Sequence, residues 1–362
     1  VIGFATTFVL HRVRLGRGRR VGPRWDAAFL PAAATVVAIV GLLAVASWVV
    51  RVGGIAQLTS VSYGNRYLLA QGQGIALSGM QWMSVGAFTL YMCALRSPRS
   101  RGLRVMVFSI VSLLFAWTML IGSRGAFVQG LMGLAVIRQT SDRPLSTMRL
   151  AFLGGIVTLA AMVYGAVGRS VSVDNLRAVS AAPLIALNPA NAEFGSGIGT
   201  IADMMQSVPN EEPYRWGSTY VTEFAVLVPR VLWPDRPLSL SEWYAARFYP
   251  EVWSEGGAFS FSPVAEAYLN FGLAGVICVF GLIGALLAAA ERRLSTYRAL
   301  PPWTAVVYAT IVPMMLLFSR MYVMAVIKAV VLVWLAPVVM IYVVARALRL
   351  AVTTPTTRAR PA

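Results

Sequence analysis

The sequence predicts an all-α polytopic membrane protein with about eight complete transmembrane helices, a partial helix at the N-terminus, and one large outer loop containing short helices. Hydrophobic residues make up 58% of the 362 residues and charged residues only 12%, and the mean hydropathy is +0.69. A soluble domain of this size would not keep so much apolar surface in solution, so composition alone indicates the membrane class. The apolar residues also recur in runs close to the length of about 20 residues that crosses a bilayer.

The formal net charge of +17 does not indicate nucleic acid as a partner. The 31 basic residues include a single lysine, Lys328, and they occur in short clusters between apolar runs. Such clusters orient a protein in a membrane. The two cysteines, Cys93 and Cys278, both lie in apolar runs and show no disulfide or metal-ligand spacing. We therefore expect no nucleic acid partner, and the cysteines indicate no metal site.

The predicted membrane segments follow one another along the chain. Residues 1–10 are apolar and precede a basic cluster, which we interpret as the end of a helix that starts before Val1, a signal remnant being the alternative. Longer apolar runs follow at approximately 28–50, 75–95, 105–121, 125–138, 150–168, 262–290, 302–319 and 322–345. The predicted organisation is N-terminal membrane helices in 1–168, an outer loop in 169–261, C-terminal membrane helices in 262–350 and a cytoplasmic tail in 351–362.

Basic clusters predict the orientation of these segments. When the chain is threaded back and forth, all the clusters fall on one side: 12–24, 96–104, 138–149, 292–298 and 346–360. Because basic residues accumulate in cytoplasmic loops, this side is predicted to be the cytoplasm. The outer side then carries residues 51–74, the turns at 122–124 and 319–320, and the loop 169–261.

The outer loop 169–261 holds ten of the 14 acidic residues and six arginines, so it is a mixed-charge domain. A structureless loop of this length would be unusual, and we expect short helices in it. Residues 219–232 place apolar side chains at helical spacing, with Glu223 and Arg230 on other faces. This pattern predicts an amphipathic helix that lies on the membrane or on the helix bundle.

Charged residues in or beside the spans are the strongest functional candidates, because each is costly unless it is paired or faces water. Arg124 and Arg320 occupy the two short outer turns. Arg124 could grip phosphate oxygens with help from neighbouring glycine N–H groups, or simply extend to lipid headgroups, and the spacing favours neither. Lys328 lies eight residues after Arg320 on roughly the same helix face. We expect it to face a polar cavity, with extension towards the headgroups as the alternative.

Glu266 is the only acid predicted in the outer half of a span. Two roles are open for it: general base for a hydroxyl, or fixed partner of an arginine, of which we slightly favour the second. In the loop, Arg230, Asp235 and Arg236 lie in a segment with three prolines, which restrict its backbone. This segment either binds a ligand or forms a rigid structural turn.

Three motifs together resemble the Wzy-type polymerases of O-antigen and other oligosaccharide repeat units. They are Gly122-Ser123-Arg124-Gly125, the segment 228–237 that reads VPRVLWPDRP, and the segment 262–275 that reads SPVAEAYLNFGLAG. The resemblance covers most of the chain, including the layout with one large outer loop. It implies a GT-C-like multi-pass enzyme of the bacterial cytoplasmic (inner) membrane.

The resemblance also implies a reaction and its partners. The growing glycan would pass from undecaprenyl diphosphate to a hydroxyl of the next lipid-linked repeat unit, without metal, nucleotide or other cofactor. The expected partners are undecaprenyl-diphosphate-linked oligosaccharides and membrane lipid, and a chain-length regulator is a further partner left open. Expected catalytic residues are Arg124, Glu266 and Arg320. Expected substrate-binding residues are Arg230, Arg236, Lys328, Asp235 and Tyr268.

Two other classes of function compete with this interpretation. An O-antigen ligase or another lipid-linked glycan transferase could share the architecture, but such ligases are expected to use a histidine in the outer loop. The sole histidine, His11, lies in a predicted cytoplasmic cluster. A polysaccharide or lipid transporter would place its charges at mid-membrane and keep its loops short, which the loop 169–261 contradicts.

Overall fold

The computed structural model describes residues 28–60, 69, 73–97, 101–121, 125–141, 144–157, 195–228, 232–254, 256–294, 302–318 and 321–353. All regular structure in these ranges is helical. The helices are α1 Leu30–Arg51, α2 Gly54–Ser60, α3 Gly74–Leu77, α4 Gly79–Arg96, α5 Arg101–Ile121, α6 Gly125–Gln139, α7 Thr147–Val157, α8 Gly195–Ser207, α9 Ser218–Thr222, α10 Leu240–Phe248, α11 Pro250–Ser254, α12 Pro263–Leu294, α13 Pro302–Leu317, α14 Val323–Lys328 and α15 Ala336–Thr353. A 3₁₀ turn, Glu223–Leu227, follows α9, and a π-helical segment, Ala329–Leu335, joins α14 to α15.

Each of the eight apolar runs in the sequence contains a helix, which confirms the all-α prediction for the described residues. Three stretches are long and apolar enough to cross a membrane: Leu30–Arg51, Pro263–Ala289 and Val323–Val352. Two shorter apolar helices are Thr147–Val157 and Trp303–Met315. The count of about eight complete spans and the GT-C-like arrangement remain predictions.

Helices α1 and α4 pack closely because glycines line their contact. A Cβ on Gly79 would lie 2.3 Å from the carbonyl oxygen of Gly41, and one on Gly41 would lie 2.4 Å from that of Gly79. About two helical turns further along α4, a Cβ on Gly86 would lie 2.9 Å from the Ala34 carbonyl oxygen. Small residues allow helix backbones to approach in a membrane protein, where lipid offers no hydrophobic drive to association. We call this contact the glycine seam.

Around the glycine seam, α4 also packs on α5 and α6, α13 packs on α6, and α15 packs on α1. The interior of this bundle is apolar, and the rings of Phe88 and Trp334 stack with their centroids 6.2 Å apart. Its buried hydroxyls are satisfied inside their own helices: Ser84 donates to Met80 at 3.0 Å, and Thr89 donates to Val85 at 3.0 Å.

Helix α12 is broken near its start. Phe271 and Gly272 have non-helical backbone angles, and Gly272 has φ 63° and ψ −154°, a conformation that favours glycine. The turns before the break are largely buried, whereas Leu273 and Ile277 after it are exposed. The break therefore separates a packed polar start, Pro263 to Asn270, from a long apolar stretch.

The predicted amphipathic helix over residues 219–232 is wrong in its extent and in the faces it assigns. Helix α9 ends at Thr222, the 3₁₀ turn ends at Leu227, and Val228 is extended. Glu223, expected on a different face from the apolar residues, is 3% exposed, whereas Phe224, one of those apolar residues, is exposed. Local periodicity failed here because the glutamate finds its partners on elements far away in sequence.

Candidate functional site

The described part of the outer loop packs on the N-terminal ends of α12 and α14. Met204 of α8 and Tyr244 of α10 share a buried cluster with Phe261, Leu269 and Met324. The cluster joins loop helices to the starts of two candidate spans. The loop is thereby fixed to the membrane helices at their predicted outer ends.

The break in α12 provides the attachment point for the loop. Interrupting a helix frees carbonyl groups that have no partner in the next turn. The N–H of Arg215 donates to the Leu269 carbonyl at 3.0 Å, and that of Trp216 donates to the Asn270 carbonyl at 3.1 Å. The Asn270 side chain completes the contact, accepting from the N–H of Gly217 at 2.8 Å and donating to the Thr219 hydroxyl at 2.6 Å.

Glu266 uses both carboxylate oxygens to hold two other elements in place. It is fully buried; Oε2 accepts from the N–H of Val323 at 2.7 Å, and Oε1 accepts from the Thr219 hydroxyl at 3.3 Å. Val323 is the first residue of α14, so the carboxylate satisfies a free N–H group at a helix N-terminus, where negative charge is favourable. Of the two roles left open by the sequence, these contacts favour a fixed partner, although that partner is a helix end.

Glu223 is a second buried acid, and it also sits at a helix N-terminus. Its Oε1 accepts from the N–H of Leu240, the first residue of α10. That helix start is completed by a capping box, in which the Ser239 hydroxyl accepts from the Glu242 N–H and the Glu242 carboxylate accepts from the Ser239 N–H. The second oxygen of Glu223, Oε2, is buried and makes no full hydrogen bond within the described residues, although the Tyr322 hydroxyl faces the same carboxylate.

Burial raises the pKa of Glu223 to about 7, because the charged form loses its hydration. The Leu240 N–H and the Tyr322 hydroxyl oppose this shift, as does the positive charge of Arg236, whereas Glu242 adds to it. Glu223 therefore changes charge close to neutral pH.

Two cations lie beside this pair of acids. Arg236 is half-buried, and its Nε and Nη1 groups are buried without a hydrogen-bond partner among the described residues. Lys328 is half-buried and interacts electrostatically with Arg236, Glu242 and Glu223. We call this set the polar junction. Its members are Thr219, Glu223, Arg236, Glu266, Asn270, Tyr322 and Lys328.

The structure brings together three of the residues expected from the sequence, Arg236, Glu266 and Lys328, and links them through Glu223. Two further expected residues are described: Asp235 is exposed, and Tyr268 is half-buried against the cluster of loop and helix side chains. The remaining three lie outside the described residues: Arg124, Arg230 and Arg320.

Glu223 was not predicted from the sequence as a site residue. The available signal was a single acid within the otherwise weakly polar stretch Tyr220 to Val228. Nothing local distinguishes such an acid from one that faces water. Among the residues that the structure describes, no group of three or more His, Cys, Asp or Glu side chains could hold a metal ion.

The geometry defines a class of protein: a helical membrane protein with a cluster of buried acids and cations where a large loop meets the starts of two apolar helices. Carboxylates, a guanidinium, an ammonium group and hydroxyls together can bind an anionic, hydroxyl-rich molecule and accept a proton.

The chain belongs to the O-antigen polysaccharide polymerase Wzy family, whose family model matches residues 32–349. This match confirms the family resemblance carried by the three motifs. At the level of the family, the chain is therefore a membrane polymerase of polysaccharide repeat units. The comparisons with curated proteins and with solved structures gave no match.

Proposed function

We propose that this protein extends a surface polysaccharide by transferring the growing glycan from undecaprenyl diphosphate to the next lipid-linked repeat unit. The reaction takes place at the outer face of the bacterial cytoplasmic membrane. The single observation that carries the proposal is the polar junction, where acids and cations are buried between the loop and the starts of α12 and α14. A purely structural loop contact would be cheaper to build from apolar side chains.

The proposed transfer breaks the bond between the anomeric carbon and the diphosphate oxygen, whose electron pair leaves with undecaprenyl diphosphate. The acceptor hydroxyl oxygen forms the new bond to that carbon and loses its proton to a base. Cations that bind the diphosphate stabilise the charge that develops on it, an effect commonly worth about 10²–10³-fold in rate.

Arg236 and Lys328 are proposed to bind the diphosphate from the polar junction. Arg236 keeps guanidinium N–H groups that have no hydrogen-bond partner among the described residues, so one of them can donate to a phosphate oxygen, and Lys328 adds a point charge. Arg124, Arg230 and Arg320 are proposed to complete this cationic site. Arg320 is only three residues before Val323 in the sequence, and the N–H of Val323 is bound by Glu266.

Glu266 is proposed to act on the reaction by holding α9 and α14 together, with the role of base kept as the alternative. Tyr268 and Asp235 are proposed to contact the sugars, since aromatic rings and carboxylates are suited to sugar faces and hydroxyls.

The test uses purified protein reconstituted into liposomes, with lipid-linked repeat units extracted from a producing strain that lacks this chain. Product length and released undecaprenyl diphosphate are measured together. We expect Arg124→Ala, Arg320→Ala and Lys328→Met each to lower the initial rate by about 100-fold. Arg346→Ala, in a predicted cytoplasmic cluster, is the matched control and should retain the wild-type rate.

Long chains made by both Arg124→Ala and Arg320→Ala would remove the proposed diphosphate site. Release of undecaprenyl diphosphate only after addition of a lipid A core acceptor would identify a ligase instead of a polymerase.

A further inference from the structure

Glu223 and Glu266, the two buried acids of the polar junction, differ in how many of their carboxylate oxygens accept full hydrogen bonds. Both oxygens of Glu266 accept hydrogen bonds from distant elements. Glu223 commits Oε1 to the N–H of Leu240, whereas its Oε2 is buried and, although the Tyr322 hydroxyl faces the carboxylate, accepts no full hydrogen bond within the described residues. A buried polar atom without a partner is costly, so its retention calls for a functional explanation.

The groups that face Glu223 suit a sugar hydroxyl. They are the cations Arg236 and Lys328, the acids Glu242 and Glu266, and the hydroxyl of Tyr322. A hydroxyl group donates one hydrogen bond and accepts up to two. The open oxygen of Glu223 could accept the first, and the unpartnered Nε or Nη1 of Arg236 could donate the second.

We propose that Glu223 is the base that receives the proton of the acceptor hydroxyl, with Arg236 hydrogen-bonded to the same hydroxyl oxygen. This inference rests on the proposed function. In the step, the hydroxyl proton moves to Oε2 of Glu223 as the hydroxyl oxygen bonds to the anomeric carbon and the diphosphate leaves with its electron pair. Glu223 then returns the proton to water. Glu266 acts in this scheme as a positioning residue.

One physical property supports this role, and a second sets a condition on it. A general base works best when its pKa lies near the working pH, and burial raises the pKa of Glu223 to about 7. Glu223 is 3% exposed, so the acceptor sugar reaches it only when the polar junction opens. A buried carboxylate is costlier in its charged form than in its neutral form, so the ionisation that creates the base also favours opening.

The experiment measures kcat and KM from about pH 5.5 to 8.5 for the reconstituted protein, with extracted lipid-linked repeat units as substrate. The variants are Glu223→Gln and Glu223→Asp, and the matched control is Glu251→Gln, an exposed acid of α11. For the wild type we expect kcat to fall about tenfold per pH unit below about pH 7. Glu223→Gln should lower kcat by about 100-fold or more, abolish this acidic limb and change KM by less than about threefold.

Glu223→Asp should retain an acidic limb at a shifted pH and a kcat between those of the wild type and Glu223→Gln. Glu251→Gln should match the wild type throughout. A purely structural role for Glu223 would not move the pH limb. Thermal unfolding of each variant in detergent identifies any loss of rate that comes from misfolding.

A kcat for Glu223→Gln within about threefold of the wild type, or an unchanged acidic limb, would overturn the proposal. A flat wild-type profile from about pH 5.5 to 8 would overturn it as well, and this measurement decides even if Glu223→Gln fails to fold. Failure of the wild-type protein to extend any chain would instead reject the proposed function.

Discussion

The glycine seam and the polar junction solve opposite packing problems within one chain. At the glycine seam, side chains are reduced to hydrogen so that α1 and α4 approach, and the nearby buried hydroxyls bond within their own helices. At the polar junction, buried side chains reach across elements, as Glu266 does to Val323 and Glu223 does to Leu240. The first region brings two helix backbones into contact, whereas the second joins separate elements through charged and polar side chains.

The largest expected effect is a dependence of the protein's stability on pH, caused by the ionisation of Glu223. Its pKa is raised from its ordinary value of 4.5 to about 7 in the folded protein. Between these pH values the folded form holds more protons than the unfolded form, so stability falls as pH rises through this window. The expected loss is at most about 3 kcal/mol.

Thermal unfolding in detergent at pH 5 and pH 7 measures this loss, and Glu223→Gln should reduce it because the amide does not ionise. The amide oxygen can still accept from Leu240. An equal pH dependence in the wild type and in Glu223→Gln would show that the ionisation of Glu223 has no such cost to stability.

The next largest effect is expected at the glycine seam. Gly79→Ala places a methyl group 2.3 Å from the Gly41 carbonyl oxygen. Forcing the helices apart should lower the unfolding free energy by about 2 kcal/mol, while KM and the pH profile of the folded protein stay unchanged. Gly284→Ala is the control, because a Cβ there meets no atom within 4 Å. A Gly79→Ala protein that unfolds at the wild-type temperature would mean that the seam is not a tight contact.

The smallest effect is expected at the break in α12. Gly272→Ala forces a Cβ residue into φ 63°, with the Tyr214 hydroxyl oxygen 3.1 Å from the new atom. We expect a destabilisation of about 1 kcal/mol. Limited proteolysis should also cleave the loop faster, because the contacts of Arg215 and Trp216 depend on the break. Gly281→Ala has open space and should leave both measurements unchanged.

The helices were well predicted, because apolar runs of membrane length are directly visible in the sequence. The run at 28–50 became Leu30–Arg51, and the run at 262–290 became Pro263–Leu294. The same approach could not see the break at Gly272, since glycine is common in membrane helices and its angles depend on tertiary contacts.

The candidate site was only partly predictable for a related reason. Glu266 and Lys328 were predicted because a charge in a membrane span stands out from its surroundings, and Arg236 because it lies in a charged, proline-rich segment that matches a family motif. Glu223 was not, because its partners Leu240 and Tyr322 are 17 and 99 residues further along the chain. Contacts over such separations are set by how the loop docks, which periodicity does not encode.

The interruption at Gly272 also bears on how this protein meets membranes of different thickness. A helix longer than the hydrocarbon layer can adjust by tilting. In an unbroken rod, that tilt would swing Glu266 away from Val323. The break at Gly272 separates Glu266 from the lipid-facing part of α12. We therefore expect that part of the helix to tilt while the Glu266 carboxylate keeps its contact with Val323. The polar junction would then keep the same geometry in bilayers of unequal thickness.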